Sequence, residues 1–137
     1  MPGLSQYGAE QSLLALIPAA TARYIALFTS IPDFDGGGGV EASGSGYARK
    51  SHSAWATATA SDVTRRSNTG AITFAALTGA LNGITAWGMY DAAVAGNLIA
   101  RDYIRDSNGD AISRDFIATD QPTFSDGELK IGIQDLV

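Results

Sequence analysis

Past Pro18 the hydrophobic period of this sequence switches from helical to alternating, in short runs broken by turn-forming residues. Residues 24–30 are a mostly apolar run of β-formers. In 47–59, Ala54, Ala56, Ala58 and Ala60 fall on one parity, and Trp55, Thr57 and Thr59 on the other. One face of such a strand is small and permits close approach. Ile72 and Phe74 share a face. Residues 84–90 split into Thr85, Trp87, Met89 and Ile84, Ala86, Tyr90, and 98–104 form a further run. Near the end, Leu129, Ile131 and Ile133 alternate with Lys130, Gly132 and Gln134. Residues 62–69, 77–82 and 91–97 read as turns or connections. About seven or eight short strands at roughly 8–15-residue spacing, with no helical crossovers, favour antiparallel pairing over a parallel α/β sheet. The expected fold class is all-β, a β-sandwich or jelly-roll-like domain.

One helical segment precedes the strands. Ser5 is positioned to cap it, Tyr7, Leu13, Leu14 and Ile17 recur at helical spacing, and Pro18 stops it. Its apolar stripe predicts packing on its own sheet or on a neighbouring chain. The chain of 137 residues is expected to be a single domain, 1–18 helical and 19–137 β, with no internal repeat or linker. Asn108-Gly109, between two candidate strands, predicts a hairpin near 101–117 with both central residues at positive φ. Gly36, Gly37, Gly38 and Gly39 in a row predict an exposed, mobile loop.

Composition narrows the chemistry. There is no cysteine, which removes disulfides, thiolate zinc sites and cysteine nucleophiles. Nine basic against fourteen acidic residues leave a net charge of −5, a poor match for a nucleic-acid backbone. No apolar run is long enough to span a bilayer, and no basic stretch precedes an apolar one at the start, so neither a membrane span nor a secretory signal is expected. His52 is the single histidine, and Ser51 and Ser53 beside it would point away from it on a strand, against a serine-type triad. The stretch 106–110 fails the calcium-loop pattern, with Ala111 and Ile117 where glycine and glutamate belong. The four glycines lead into Val40-Glu41 and lack the lysine of a phosphate loop. Arg65-Arg66 reads as a solvated turn. The expectation is no catalytic residue, no metal and no cofactor. Candidate partner contacts are Gly36, Gly37, Gly38, Gly39, Trp55, Tyr103, Asn108 and Gly109, with Trp55 and Tyr103 as possible surface aromatics.

Several blocks resemble a bacteriophage family of tail-fibre-like small virion proteins. They are Gly3-Leu4-Ser5, Tyr24-Ile25-Ala26-Leu27-Phe28-Thr29-Ser30, the run from Glu41 through Gly46-Tyr47-Ala48-Arg49, Ala71-Ile72-Thr73-Phe74, Trp87-Gly88-Met89-Tyr90-Asp91-Ala92-Ala93, and Gly96-Asn97-Leu98-Ile99-Ala100. The likeness runs from 3 to 100 and departs beyond it, where 101–116 reads as an added hairpin. The resemblance implies a non-enzymatic virion structural protein. Two roles follow: a capsid decoration (cement) protein clamping neighbouring shell subunits, expected on the capsid surface, or a tail-fibre or adsorption component binding a host receptor or glycan. Decoration is the leading expectation, because the chain has no fibrous repeat or coiled-coil heptad. The expected partners are other virion proteins, the major capsid protein or tail proteins, and further copies of the chain, as a homo-oligomer such as a trimer. Neither nucleic acid nor membrane is expected as a partner.

Overall fold

The computed structural model describes residues 3–61 and 63–134. The chain is all-β with one N-terminal helix, α1 (Gln6–Leu16). Strands follow in the order β1 (Arg23–Ser30), β2 (Val40–Glu41), β3 (Lys50–His52), β4 (Trp55–Ala60), β5 (Val63–Asn68) and β6 (Ile72–Thr73). The second half carries β7 (Leu81–Ile84), β8 (Ala86–Tyr90), β9 (Leu98–Tyr103), β10 (Arg114–Phe116), β11 (Thr123–Phe124) and β12 (Lys130–Gln134). Seven of these have four residues or more, and the rest are two- or three-residue pairings. The pairings of β1 with β2 and β8, β8 with β9, β7 with β10, and β5 with β4 and β12 are antiparallel. The contacts divide the chain into two compact units.

One unit comprises the described residues up to Ala22, His52–Ile72 and the described residues from Phe124 on. Its sheet has the order β12-β5-β4. α1 starts at Ser5, whose hydroxyl accepts from the Gly8 N–H, and ends where Pro18 forbids another turn. The helix buries Ala9, Leu13 and Ile17, a four-residue stripe, and packs on β5 and β12. Tyr7 and Leu14, expected on that stripe, are instead 71% and 38% exposed, because they fall on the opposite side of the turn.

Residues 63–68, read from sequence as part of a turn, are the central strand of this sheet. The misreading has a physical cause: the buried parity is polar. Thr64, Arg66 and Asn68 all point inward, and each makes side-chain hydrogen bonds, as most buried polar groups do, while Arg66 Nη2 is buried without one among the described residues. Arg66 Nε donates to the Ile17 carbonyl at 2.8 Å and Nη1 to Thr57 Oγ1 at 2.9 Å. Asn68 Nδ2 donates to the Gly70 and Ser125 carbonyls, and its Oδ1 accepts from Leu129 N. Arg66 is therefore no solvated turn residue, and only Arg65 of the doublet is exposed.

The other unit, Arg23–Ser51 with Thr73–Thr123, is built on the path β2-β1-β8-β9, with β3 also pairing β1. Facing pairs Ile25↔Met89 and Leu27↔Trp87 fill one side. Ala26, Phe28, Ala86 and Tyr90 fill the other, with Tyr24, Ile31 and Leu98 packed against them. β8 is buried along its whole length, so it shows little polar alternation. Gly88 permits this, since a Cβ there would lie 2.9 Å from the Phe28 ring. Asn82-Gly83, expected in or beside a connection, lies inside β7, which pairs β10.

Candidate interaction surface

The densest polar arrangement in the second unit is a clamp around Arg49. Its guanidinium grips Glu41 with both ends, Nε to Oε1 and Nη2 to Oε2, each at 2.9 Å. Nη1 donates to the Ala92 and Ala95 carbonyls at 3.0 and 2.7 Å. The same group lies 3.8 Å over the Tyr90 ring, a cation–π contact. Tyr47 completes it: its hydroxyl accepts from Leu27 N at 2.9 Å and donates to Glu41 Oε1 at 3.0 Å. Burial raises the Tyr47 phenol far above its ordinary value, burial raises Tyr90 as well, and the Glu41 hydrogen bond holds Arg49 more firmly protonated. One side chain thus ties β2 to the 91–97 loop. Asp91 stiffens that loop, accepting from the main-chain and side-chain N–H groups of Asn97, which hold its carboxyl below the usual range.

The glycine loop is folded rather than free. Asp33 N donates to Gly37 O, Gly36 N to Asp33 O and Gly37 N to Asp35 Oδ1. Gly36 and Gly38 take φ of 88° and 78°, which L side chains rarely adopt. At Gly39 a Cβ would meet Pro32 Cα at 2.6 Å, and Gly36 sits over Leu98. Four glycines allow a tight fold-back, and the hydrogen bonds then fix it. The loop presents Phe34 at 94% exposure. Phe34 is an exposed aromatic absent from the expected contacts; its signal is an aromatic set among turn formers, in Asp33-Phe34-Asp35-Gly36.

The other predicted contacts part company. Tyr103 is 42% exposed, and Asn108 and Gly109 are exposed at a hairpin tip closed by an Arg105–Ala111 bridge. Only Gly109 has positive φ, 84°, while Asn108 does not. Gly109 N donates to Asp106 O, so the tip is a turn with glycine in its left-handed position, not the two-residue mirror turn. Arg105 Nη1 donates to Gly109 O and Nη2 pairs Asp102. Trp55 corrects the expectation of a surface aromatic: it is 6% exposed, on the inward parity of β4. Its indole N–H donates to His52 O, and the His52 ring meets it edge-on at 5.2 Å. His52 Nε2 in turn lies 3.1 Å from Thr69 O, which places this histidine in the strand scaffold. Among the described residues no three His, Cys, Asp or Glu side chains gather as a metal would need, and no helix is long and apolar enough to cross a membrane.

The sequence model of the podophage GP4 fiber I protein gp80 family matches residues 4–132. This chain belongs to that family. The gp80-family match passes beyond residue 100, to residue 132. In this gp80-family chain the Glu41–Arg49 and Trp87–Ala93 blocks are the two sides of the Arg49 clamp. Membership makes the protein a bacteriophage virion structural protein, and the family's description as a fibre protein favours the tail-fibre reading over capsid decoration. No curated protein matches the chain.

Proposed function

We propose that the protein is a non-enzymatic component of a podophage tail fibre, joining other virion proteins and further copies of itself, and offering its loop-bearing unit as a contact surface. The observation that carries this is the fibre-family match over 4–132. The loop geometry supports it. Phe34, Val94 and Ile117 stand 94%, 82% and 68% exposed on short, turn-rich segments, and the Phe34 loop is fixed by its own hydrogen bonds. A rigid loop that displays an apolar ring loses little entropy on binding, which is how contact surfaces gain affinity. Gly36 to Gly39, Tyr103, Asn108 and Gly109 belong to the same proposed contact set, as scaffold and rim. Trp55 is left out of it by its burial.

Immunogold labelling of purified virions, with copy number from quantitative mass spectrometry, tests the position. Label on the tail and a handful of copies per particle are expected. Label spread over the shell with hundreds of copies would restore the decoration role. Virions carrying Phe34→Ser are expected to assemble and to adsorb more slowly, and unchanged adsorption would remove Phe34 from the contact set.

A further inference from the structure

We infer that β4 is a self-pairing edge, through which two copies of this chain join their three-stranded sheets into one six-stranded antiparallel sheet. The inference deepens the proposed assembly role by naming a surface, and it is decided on the purified chain, whereas the fibre reading is decided on the virion.

β4 pairs only β5 among the described residues and so ends its sheet. Thr69 N donates to Ala54 O at 2.8 Å, which turns the Ala54 main chain toward β5. Strand alternation turns Ala56, Ala58 and Ala60 the same way, and leaves the N–H and C=O groups of Trp55, Thr57 and Thr59 aimed at the open edge. Such groups are a template for another strand, and proteins usually guard them with charge, proline, bulges or short length. The other edges here are guarded. β9 carries Arg101 and Asp102, β12 carries Lys130, β7 is broken by Gly83 at φ 71°, and β2, β3, β6, β10 and β11 have two or three residues. β4 has six residues, no charge, no proline and no glycine.

The occupant follows from charge and symmetry. A chain of net charge −5 meets its own copy at least cost where no charged side chain lies in the contact, and β4 is such a place. Antiparallel self-pairing about Thr57 sets Thr57 against its twin and Trp55 against Thr59, as hydrogen-bonded pairs. Ala56 then faces Ala58 on the exposed side, where small side chains leave the approach open.

Sedimentation of the full chain tests this. The wild type is expected at twice the 14.2 kDa chain mass. Thr57→Pro removes the N–H at the two-fold axis, on the side of the strand where proline is tolerated, and is expected to weaken association on the order of 30-fold or more, the loss of two hydrogen bonds. Ala58→Lys places a guard on the exposed face without touching the main chain, and is expected to yield a folded monomer by circular dichroism. Because the chain has no cysteine, a spin label on Ala58→Cys reports the contact directly, and dipolar broadening between copies is expected. A wild type that stays monomeric at about 100 µM, where a dissociation constant of about 10 µM or tighter gives mostly dimer, overturns the inference. So does a folded Ala58→Lys variant that remains dimeric, or a label without broadening.

Discussion

Arg49 is the residue on which the second unit's polar order turns, since its guanidinium makes four hydrogen bonds, two to the Glu41 carboxylate and two to the main-chain carbonyls of Ala92 and Ala95. Its side chain is 8% exposed, so removing it leaves Glu41 with Tyr47 alone as a donor among the described residues and takes the guanidinium from the carbonyls of Ala92 and Ala95. Arg49→Met is expected to cost about 3 kcal/mol, in the range for breaking a buried pair from one side, read as a shift in the urea midpoint. Glu41→Gln keeps an acceptor and is expected to cost less. An equal or reversed order would show that the carboxylate charge is not what holds the guanidinium. The clamp also sets a response to base. Tyr47 is held neutral by burial, with a folded pKa above its unfolded value of about 10. A raised pKa contributes stability that is complete below the unfolded value and is lost as pH rises toward the folded one. Phenolate absorbance from Tyr47 should therefore appear together with loss of circular dichroism. Ionisation of all five tyrosines in a still-folded chain would contradict the hydrogen-bonded position of Tyr47.

Elements here hold together through a few close approaches that a single methyl group can disturb. Gly39→Ala would drive a Cβ against Pro32 main-chain atoms at 2.6 Å. A loss of about 1–3 kcal/mol and faster proteolysis within 33–38 are expected, whereas unchanged cleavage would mean the loop can shift at no cost. Leu13, 1% exposed under α1, anchors the helix to its sheet, and Leu13→Ala is expected to cost about 2–5 kcal/mol in a thermal or urea melt. Ser5→Ala, which removes only the cap, should cost about 1 kcal/mol. Legibility in sequence followed the same physics. β1, β8, β9 and β12 were readable because apolar β-formers mark them, and α1 because Ser5 and Pro18 bound it. β5 was not, because Thr64, Arg66 and Asn68 fill its inward positions, and Arg66 and Asn68 find partners 49 to 61 residues away, beyond any local pattern. Of the proposed contact set, the exposed Asn108-Gly109 tip was legible as a turn from its Asn-Gly pair, and Tyr103 is exposed as expected. Trp55 and Phe34 exchanged places: the tryptophan lies inside and the phenylalanine outside, since strand parity and loop geometry decide exposure and side-chain type does not.

For the whole molecule the deciding quantities are net charge and the means of meeting a second copy. Fourteen acids against nine bases give −5 near neutral pH and a sequence pI of about 4.6. Two copies therefore repel as monopoles, even though the β4 contact itself is uncharged. Salt screens such repulsion over a Debye length of about 10 Å at 0.1 M, while leaving hydrogen bonds and small apolar contacts nearly untouched. Lowering the pH toward the isoelectric region protonates carboxylates and removes the same repulsion. Self-association is thus expected to strengthen when salt rises from about 0.02 to 0.5 M, and again when pH falls from about 8 toward 5, each measured by sedimentation across a concentration series. An interface built on opposite charges behaves the other way, because salt screens attraction as readily as repulsion. Association that weakens with salt would therefore move the contact away from β4, to a surface where the acidic loops of one copy meet basic side chains of the next.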